Sequence, residues 1–133
     1  MITYSGGRIY VDGSTPAKRE DVWNVLTDTT LWPSWGPSVA TVECEQRYIR
    51  AGSQGKVRTT LGFWLPFKVS SYEELHFWVW QVGGIEATGH RLAQDGKSCR
   101  IIFDMPWWSA PYSFICLRAI GRIIDLAEAK TFA

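Results

Sequence analysis

Apolar residues recur at intervals of three and four over residues 111–130, close to the C-terminal end of the chain. This spacing places on one helical face Tyr112, Ile115, Cys116, Ala119, Ile120, Ile123, Ile124 and Ala127. Charged residues such as Arg118 and Asp125 fall on the opposite face. Ser109 is suited to cap the first turn, and Pro111 suits that turn because proline has no N–H to leave unsatisfied. The pattern predicts a long amphipathic helix over residues 111–130.

A shorter helix is predicted near the N-terminus, directly after a first strand over residues 8–12. Thr15 is a suitable N-cap for it, and Pro16 a suitable first helical residue. Its apolar side consists of Val22, Trp23, Val25 and Leu26. Trp32 and Trp35 follow shortly afterwards. A polar linker would not carry two indole groups, so we expect both rings to dock on the core or on the rim of a pocket.

Strand patterns dominate the chain from Val39 onward. The strand-like segments are residues 39–48, 56–61, 67–74, 76–82, 85–92 and 97–105. Asp95-Gly96, between the last two, is a strong signal for a tight hairpin. Residues 63–66, Phe-Trp-Leu-Pro, are interpreted as an apolar hairpin tip or a lid. With the first strand this makes about seven strands, which are mostly hairpin-linked and therefore antiparallel.

These elements predict an α+β fold in one domain, residues 1–133. The pattern leaves two arrangements open. The sheet either curls around the long helix, which leaves room for a cavity, or the helix packs on a flat sheet without one. The chain contains eight tryptophans, and indole rings often line pockets or interfaces, where one edge meets a polar partner.

Charge and cysteine content exclude several classes of function. The net charge is +1 with scattered basic residues, so no surface for nucleic acid or an anionic membrane is indicated. Cys44, Cys99 and Cys116 lie in apolar or strand-like surroundings without metal-ligand spacing, and we expect them to be reduced and buried. The N-terminus lacks the pattern of a signal peptide, and no apolar stretch approaches the ~20 residues of a membrane span. We therefore expect a cytoplasmic protein without stable membrane insertion.

Several motifs occur in a characteristic order along the chain. They are residues 22–28, Trp32-Pro33-Ser34-Trp35, Gly52-Ser53-Gln54-Gly55, Trp78-Val79-Trp80 and Gly89-His90. Together with the element order, these motifs resemble the START-like helix-grip (SRPBCC) superfamily, and most of all its polyketide cyclase/dehydrase-like bacterial members. The resemblance covers nearly the whole chain.

This resemblance implies a seven-stranded, strongly bent antiparallel sheet that grips the terminal helix, with short helices after the first strand. It also implies an elongated apolar cavity between sheet and helix. Members bind lipids, sterols, polyketides and other hydrophobic molecules, and some catalyse cyclisation or dehydration. They share no single catalytic motif, so the fold does not specify a reaction.

Strand parity indicates which side chains point towards such a cavity. The inward set on the sheet is Val57, Thr59, Trp78, Trp80, Ile101, Phe103 and Met105, and on the helix Tyr112, Cys116, Ala119, Ile120 and Ile123. Trp35 and Trp64 are added as aromatic residues of the rim or lid. For each of these residues, ordinary core packing is the alternative interpretation.

His90 is the polar candidate, because it lies on a strand whose predicted inward face is Thr88, His90 and Leu92. An imidazole in an apolar pocket can hydrogen-bond a ligand carbonyl or act as general acid or base near neutral pH. The alternative is a core histidine with satisfied hydrogen bonds. No zinc-ligand cluster, glycine-rich phosphate loop or GxSxG motif is present, so we expect no metal and no cofactor.

Three functions remain open. The first is a carrier or sensor that binds a hydrophobic small molecule between sheet and helix. The second is a cofactor-free aromatase/cyclase or dehydratase that uses His90 and a tyrosine. The third is an interaction module, for example a homodimer, that uses its aromatic surface.

Overall fold

A computed structural model describes all residues, 1–133, and shows an α+β chain with one antiparallel sheet. The strands are β1 (Ile2–Ser5), β2 (Arg8–Thr15), β3 (Val39–Cys44), β4 (Gln54–Thr59), β5 (Trp64–Glu73), β6 (Phe77–Val82), β7 (Ile85–Asp95) and β8 (Ser98–Pro106). The helices are α1 (Arg19–Thr27), the short α2 (Trp32–Trp35) and the long α3 (Ser113–Thr131). Short 3-10 segments at Thr29–Leu31 and Trp107–Tyr112 precede α2 and α3.

The eight strands are ordered β1-β2-β8-β7-β6-β5-β4-β3. β2 lies near one edge of the sheet and β3 forms the other edge. The connection that contains α1 and α2 therefore spans the sheet from edge to edge. Irregular pairing interrupts the sheet between Val39 and Thr41, between Val69 and Ser71, and between Val79 and Gln81. Such bulges bend strands and increase their twist. The bent sheet grips α3, as the helix-grip resemblance implied.

One core of 24 buried apolar residues joins the sheet to all three helices. The predicted inward positions of β8 are confirmed, because Cys99, Ile101, Phe103 and Met105 are all buried. From α3 the core receives Cys116, Ala119, Ile120, Ile123 and Ala127. These residues recur at the predicted three-and-four spacing, and α3 therefore contributes one continuous apolar face.

Both tryptophans of α2 dock on the core, as predicted. The indole N–H of Trp32 donates to the carbonyl oxygen of Leu26 at 3.0 Å, and that of Trp35 to Val25 at 3.1 Å. Both acceptors lie in α1, so these bonds tie α2 to the last turns of that helix. The ring of Trp32 also stacks on Trp78 of β6, with centroids 5.4 Å apart and planes 7° from parallel.

The N-terminal elements correct two predictions. There are eight strands, since residues 2–5 form an additional strand that pairs with β2. β2 extends to Thr15, which pairs with Cys99, and this pairing delays the start of α1 from the predicted Thr15-Pro16 to Arg19.

The segments around the long helix and the apolar tip also differ from prediction. Residues 107–112 form a 3-10 segment, and Ser109 donates to the carbonyl of Pro106 instead of capping α3. Residues 64–66 begin β5 and pair with β4, so the predicted hairpin tip is a strand. The turn lies at residues 60–63, where Gly62 has a φ of 94° and Leu61 is 82% exposed.

The Trp32→Ala variant should lose about 3–5 kcal/mol of unfolding free energy, the usual cost of removing a fully buried aromatic side chain. Trp64→Ala is the matched control, because Trp64 is 43% exposed; it should cost about 1 kcal/mol or less. Urea unfolding followed by circular dichroism measures both variants. Equal losses would show that Trp32 does not anchor α2.

Candidate ligand-binding site

Two adjoining cavities lie on the inner face of the sheet, one against the N-terminal half of α3 and the other against the 3-10 segment that precedes α3. The inner pocket has a volume of about 30 Å³, and the outer chamber has a volume of about 310 Å³. Both are lined by Ser38, Val39, Trp80, Thr88 and Tyr112. The two cavities therefore share one wall.

The inner pocket is lined mainly by aromatic and small apolar side chains. Its walls include Trp32 and Trp35 of α2, Trp78 and Trp80 of β6, His90 of β7, Phe103 of β8, and Ile115, Cys116 and Ala119 of α3. A volume of about 30 Å³ admits a group the size of a water molecule or a hydroxyl. Larger parts of any ligand must therefore lie in the outer chamber.

The outer chamber is bounded by β4, β5, β6, β7 and the 3-10 segment before α3. Its apolar lining includes Val57, Leu65, Val82 and Trp108. Glu86 is its only acidic lining residue. A larger cavity of about 520 Å³ lies elsewhere, over residues 45–54, but only one of its seven lining residues is apolar. It does not offer the walls that a hydrophobic ligand needs.

His90 is held rigidly at the inner end of the site. Its ring stacks on Trp78, with centroids 3.8 Å apart, and meets the edge of Phe103 at 4.6 Å. Its Nδ1 lies 3.2 Å from the carbonyl oxygen of Trp78. Because a carbonyl can only accept a hydrogen bond, Nδ1 carries the ring proton and Nε2 keeps its lone pair. The ring is therefore oriented by a main-chain group of the neighbouring strand.

The His90 imidazole is uncharged at neutral pH. The side chain is 3% exposed, and burial lowers its pKa to about 3, although the bond to the Trp78 carbonyl acts in the opposite direction. A protonated imidazole would be buried here without a negatively charged partner. His90 is consequently a poor general acid at neutral pH and a weak base.

The other titratable groups of the inner pocket are also neutral. Burial raises the pKa of the Cys116 thiol to about 12. Burial likewise raises the pKa of Tyr112, while its 2.8 Å hydrogen bond with the Ser38 hydroxyl lowers it in part. No lysine, arginine, aspartate or glutamate lines this pocket. The pocket can therefore form hydrogen bonds but offers no charge to a ligand.

Two buried donors in this region have no partner in the protein. The indole Nε1 groups of Trp78 and Trp80 are buried and make no hydrogen bond. Their rings are 5.7 Å apart and both line the inner pocket. An unpaired buried N–H is costly, and such groups in native proteins usually meet a water or a ligand.

The structure brings most of the predicted site residues together. Trp35, Trp78, Trp80, His90, Phe103, Tyr112, Cys116 and Ala119 line the inner pocket. Val57 and Thr59 line the outer chamber. The parity argument succeeded on these strands because successive side chains of a strand point to opposite faces of the sheet.

Five residues that were predicted to line the cavity lie outside both cavities, which corrects that part of the prediction. Ile101, Met105, Ile120 and Ile123 face inward but belong to the closed part of the core. Ile120 lies directly over β2, where a Cβ added to Gly13 would be 2.9 Å from its Cγ2. Trp64 points away from the chamber, since strand alternation places its neighbour Leu65 in the chamber wall.

Sequence reasoning missed several residues that line the outer chamber, among them Leu65, Trp108 and Glu86. Trp108 had a detectable signal, because Trp107-Trp108 stands between the last strand and the long helix. Two adjacent indoles at the end of a helix that faces a cavity indicate a rim. No comparable signal marks Glu86, whose position depends on the irregular pairing of β6 and β7.

Comparison with known proteins identifies relatives of this architecture. Residues 9–129 match the model of a family described as polyketide cyclase / dehydrase and lipid transport. Protein NE0264 from Nitrosomonas europaea is similar in structure, with a TM-score of 0.74, 12% identity, and coverage of 98% of this chain and 100% of that chain. Protein MLL2253 from Mesorhizobium loti has a TM-score of 0.73 at 10% identity, covering 92% of this chain and 97% of that chain.

DynU16, a protein of the dynemicin biosynthetic locus, has a TM-score of 0.69 at 18% identity. The match covers 96% of this chain but 49% of the DynU16 chain. At such identities these structures establish the fold alone. No curated protein matches the chain significantly. No helix here combines the length and apolar character needed to cross a membrane, and no three His, Cys, Asp or Glu side chains are grouped closely enough to hold a metal ion.

The low pKa of His90 predicts that the protein loses stability at pH values well above those at which its carboxyl groups titrate. The unfolded histidine binds a proton near pH 6.5, whereas the folded one does so only near a pKa of about 3. Between these values the unfolded state holds more protons, so stability falls as the pH falls, by at most about 1.4 kcal/mol per pH unit. Urea unfolding from roughly pH 7 to pH 4 measures this slope.

The His90→Gln variant should show a flatter slope in that range, because glutamine does not titrate. Burial raises the pKa of the Asp12 and Asp28 carboxyls, whereas hydrogen bonds from arginine lower it. The net effect is a pKa below the usual value of 3.8 for both groups. The stability that these two carboxylates contribute is therefore lost only at lower pH. An unchanged slope in the variant would contradict a buried, neutral His90.

The cysteines should differ in reactivity, since the thiolate is the reactive form. Cys44 is half-buried, whereas Cys99 and Cys116 are buried, and burial raises the pKa of both buried thiols. With an aromatic disulfide reagent we expect one thiol to react fast in the folded protein. After denaturation without reductant we expect three thiols to react. A count of one after denaturation would instead reveal a native disulfide.

Proposed function

The chain belongs to the polyketide cyclase / dehydrase and lipid transport family, and on this premise we propose that it binds a hydrophobic small molecule between its sheet and α3. The observation that carries the proposal is the apolar outer chamber of about 310 Å³ that adjoins the neutral inner pocket. We propose that the protein acts as a cytoplasmic carrier or sensor.

The dimensions support a ligand of modest size. Ligand sites commonly measure about 300–1,000 Å³, and this chamber lies at the lower end of that range. Apolar surface buried there contributes about 25 cal/mol per Å² before the cost of ordering the ligand. A ligand with one or two rings, or a short branched chain, fits such walls without rearrangement of the core.

The aromatase/cyclase or dehydratase alternative has weaker support. Acid–base catalysis at neutral pH needs a group whose pKa lies near the working pH. Burial moves the pKa of His90 far below that range and the pKa of Cys116 far above it. The proton on His90 Nδ1 is directed at the Trp78 carbonyl and not at the pocket. A role for His90 in orienting a bound ligand agrees better with these observations.

The interaction-module alternative starts from the exposed aromatic residues, among them Phe63, Trp107 and Trp108. Trp108 lines the chamber, so its exposure fits a rim over which a ligand passes. A homodimer through these residues remains a prediction, and the mass of the protein in solution tests it.

The proposal predicts that a neutral hydrophobic fluorophore, N-phenyl-1-naphthylamine, binds with a stoichiometry of one. Val82 lines the outer chamber, so Val82→Trp should fill part of it and weaken binding about tenfold or more, the loss of roughly 1.4 kcal/mol. Fluorescence titration of the probe measures the affinity of wild type and variant.

Gln81→Trp is the matched control, because Gln81 is the exposed neighbour of Val82 on the same strand. It adds the same indole outside the chamber and should leave the affinity unchanged. Thermal unfolding of both variants shows whether each remains folded. Equal binding by folded Val82→Trp and Gln81→Trp would place the probe elsewhere and contradict the proposed site.

A further inference from the structure

The inner pocket contains an unbalanced set of hydrogen-bonding groups. The indole N–H groups of Trp78 and Trp80 are buried donors without acceptors. His90 contributes an acceptor, because its Nδ1 proton is directed at the Trp78 carbonyl and Nε2 keeps a lone pair. The rings of both tryptophans lie against His90, at 3.8 Å and 6.1 Å between centroids. Two donors and one acceptor thus belong to residues that line the same small pocket.

We propose that this pocket recognises a neutral hydroxyl group, such as that of a phenol or an alcohol, at one end of the hydrophobic ligand. This inference rests on the proposed function, and it names the polar end of the ligand that the outer chamber holds. A hydroxyl oxygen accepts two hydrogen bonds and donates one. It therefore matches two indole donors and one imidazole acceptor in number and type.

Other polar groups match this set less well. A carbonyl or ether oxygen accepts from the indoles but leaves the Nε2 lone pair of His90 unpaired. A carboxylate would be buried without a cation, because no lysine or arginine lines the pocket. An ammonium group would lack an anionic partner, because no aspartate or glutamate lines the pocket. The hydroxyls of Thr88, Ser38 and Tyr112 can donate or accept, so they do not decide between these groups.

The size of the pocket agrees with this assignment. Its volume of about 30 Å³ holds one hydroxyl-sized group and excludes a ring, which has room only in the outer chamber of about 310 Å³. Trp80 and Tyr112 line both cavities. A flat aromatic alcohol can therefore place its oxygen in the inner pocket while its rings contact the chamber walls.

Four related probes test the inference by displacement of N-phenyl-1-naphthylamine: 2-naphthol, naphthalene, 2-methoxynaphthalene and 2-naphthoate. We expect 2-naphthol to bind about tenfold or more tightly than naphthalene and 2-methoxynaphthalene, and naphthoate to bind most weakly. Trp80→Phe removes one donor but keeps an aromatic ring. It should reduce the preference for naphthol over naphthalene while naphthalene binding is retained.

The indole N–H resonances in a proton–nitrogen correlation spectrum provide a direct second measurement. Those of Trp78 and Trp80, assigned with Trp78→Phe and Trp80→Phe, should shift downfield with 2-naphthol but not with naphthalene. Trp32 and Trp35 are internal controls, because their N–H groups already donate to main-chain carbonyls. Their resonances should move little with either probe.

The outcomes separate this inference from the proposed function. If naphthalene binds as tightly as 2-naphthol, or if the two indole resonances do not move, the inner pocket does not recognise a hydroxyl group. The hydroxyl assignment is then wrong, although hydrophobic binding stands. If neither the naphthalenes nor N-phenyl-1-naphthylamine binds the folded protein, both the inference and the proposed function are wrong.

Discussion

A stack of three aromatic rings connects α2 to the middle of the sheet, and the architecture of the site depends on it. Trp32 lies parallel to Trp78 at 5.4 Å, and Trp78 lies nearly parallel to His90 at 3.8 Å. The rings come from α2, β6 and β7, so the stack joins the connection between β2 and β3 to two adjacent central strands. Because the indole of Trp32 also donates to Leu26, α1 is held by the same contact. Stacked aromatic contacts add stabilisation beyond the area that they bury.

The same stack sets both the size and the polarity of the site. Its rings occupy the space beneath the outer chamber and leave only about 30 Å³ beside them. Enclosure by Trp78 and Phe103 removes water from His90 and keeps its imidazole neutral. The cost of this arrangement is two indole N–H groups without partners. A site of this kind can select a ligand by hydrogen bonding, but it gives little support to proton transfer.

The long helix α3 performs different tasks along its length. Near the middle of α3, Ile120 packs so closely on β2 that a Cβ added to Gly13 would be 2.9 Å from its Cγ2. One helical turn before Ile120, Cys116 is a small side chain, and it lines the inner pocket instead of closing it. At the N-terminal end, Tyr112 bonds to Ser38 beyond α2 and borders both cavities. The space therefore opens where small residues and an irregular 3-10 entrance replace the branched residues of the helix.

Much of the fold was accessible from the sequence, because its signals are local. The three-and-four spacing of residues 111–130 depends only on helical geometry, and it placed Cys116, Ala119 and Ile123 on the buried face. Alternation along β8 identified Phe103 and its inward neighbours in the same way. The Asp95-Gly96 signal located the β7–β8 hairpin, where Gly96 has a φ of 62°.

What the tertiary structure decided was which inward residues border empty space. Ile120 and Ala119 are equally buried, and no local pattern reveals that one meets β2 while the other meets a cavity. The extension of β2 to Thr15 came from pairing with β8, which overrode the helix-start signal at Thr15 and Pro16. The neutrality of His90 and the unpaired donors of Trp78 and Trp80 arise from contacts between distant segments. The sequence by itself determined the elements and their buried faces, because these follow from periodicity; the site required the long-range packing that periodicity does not describe.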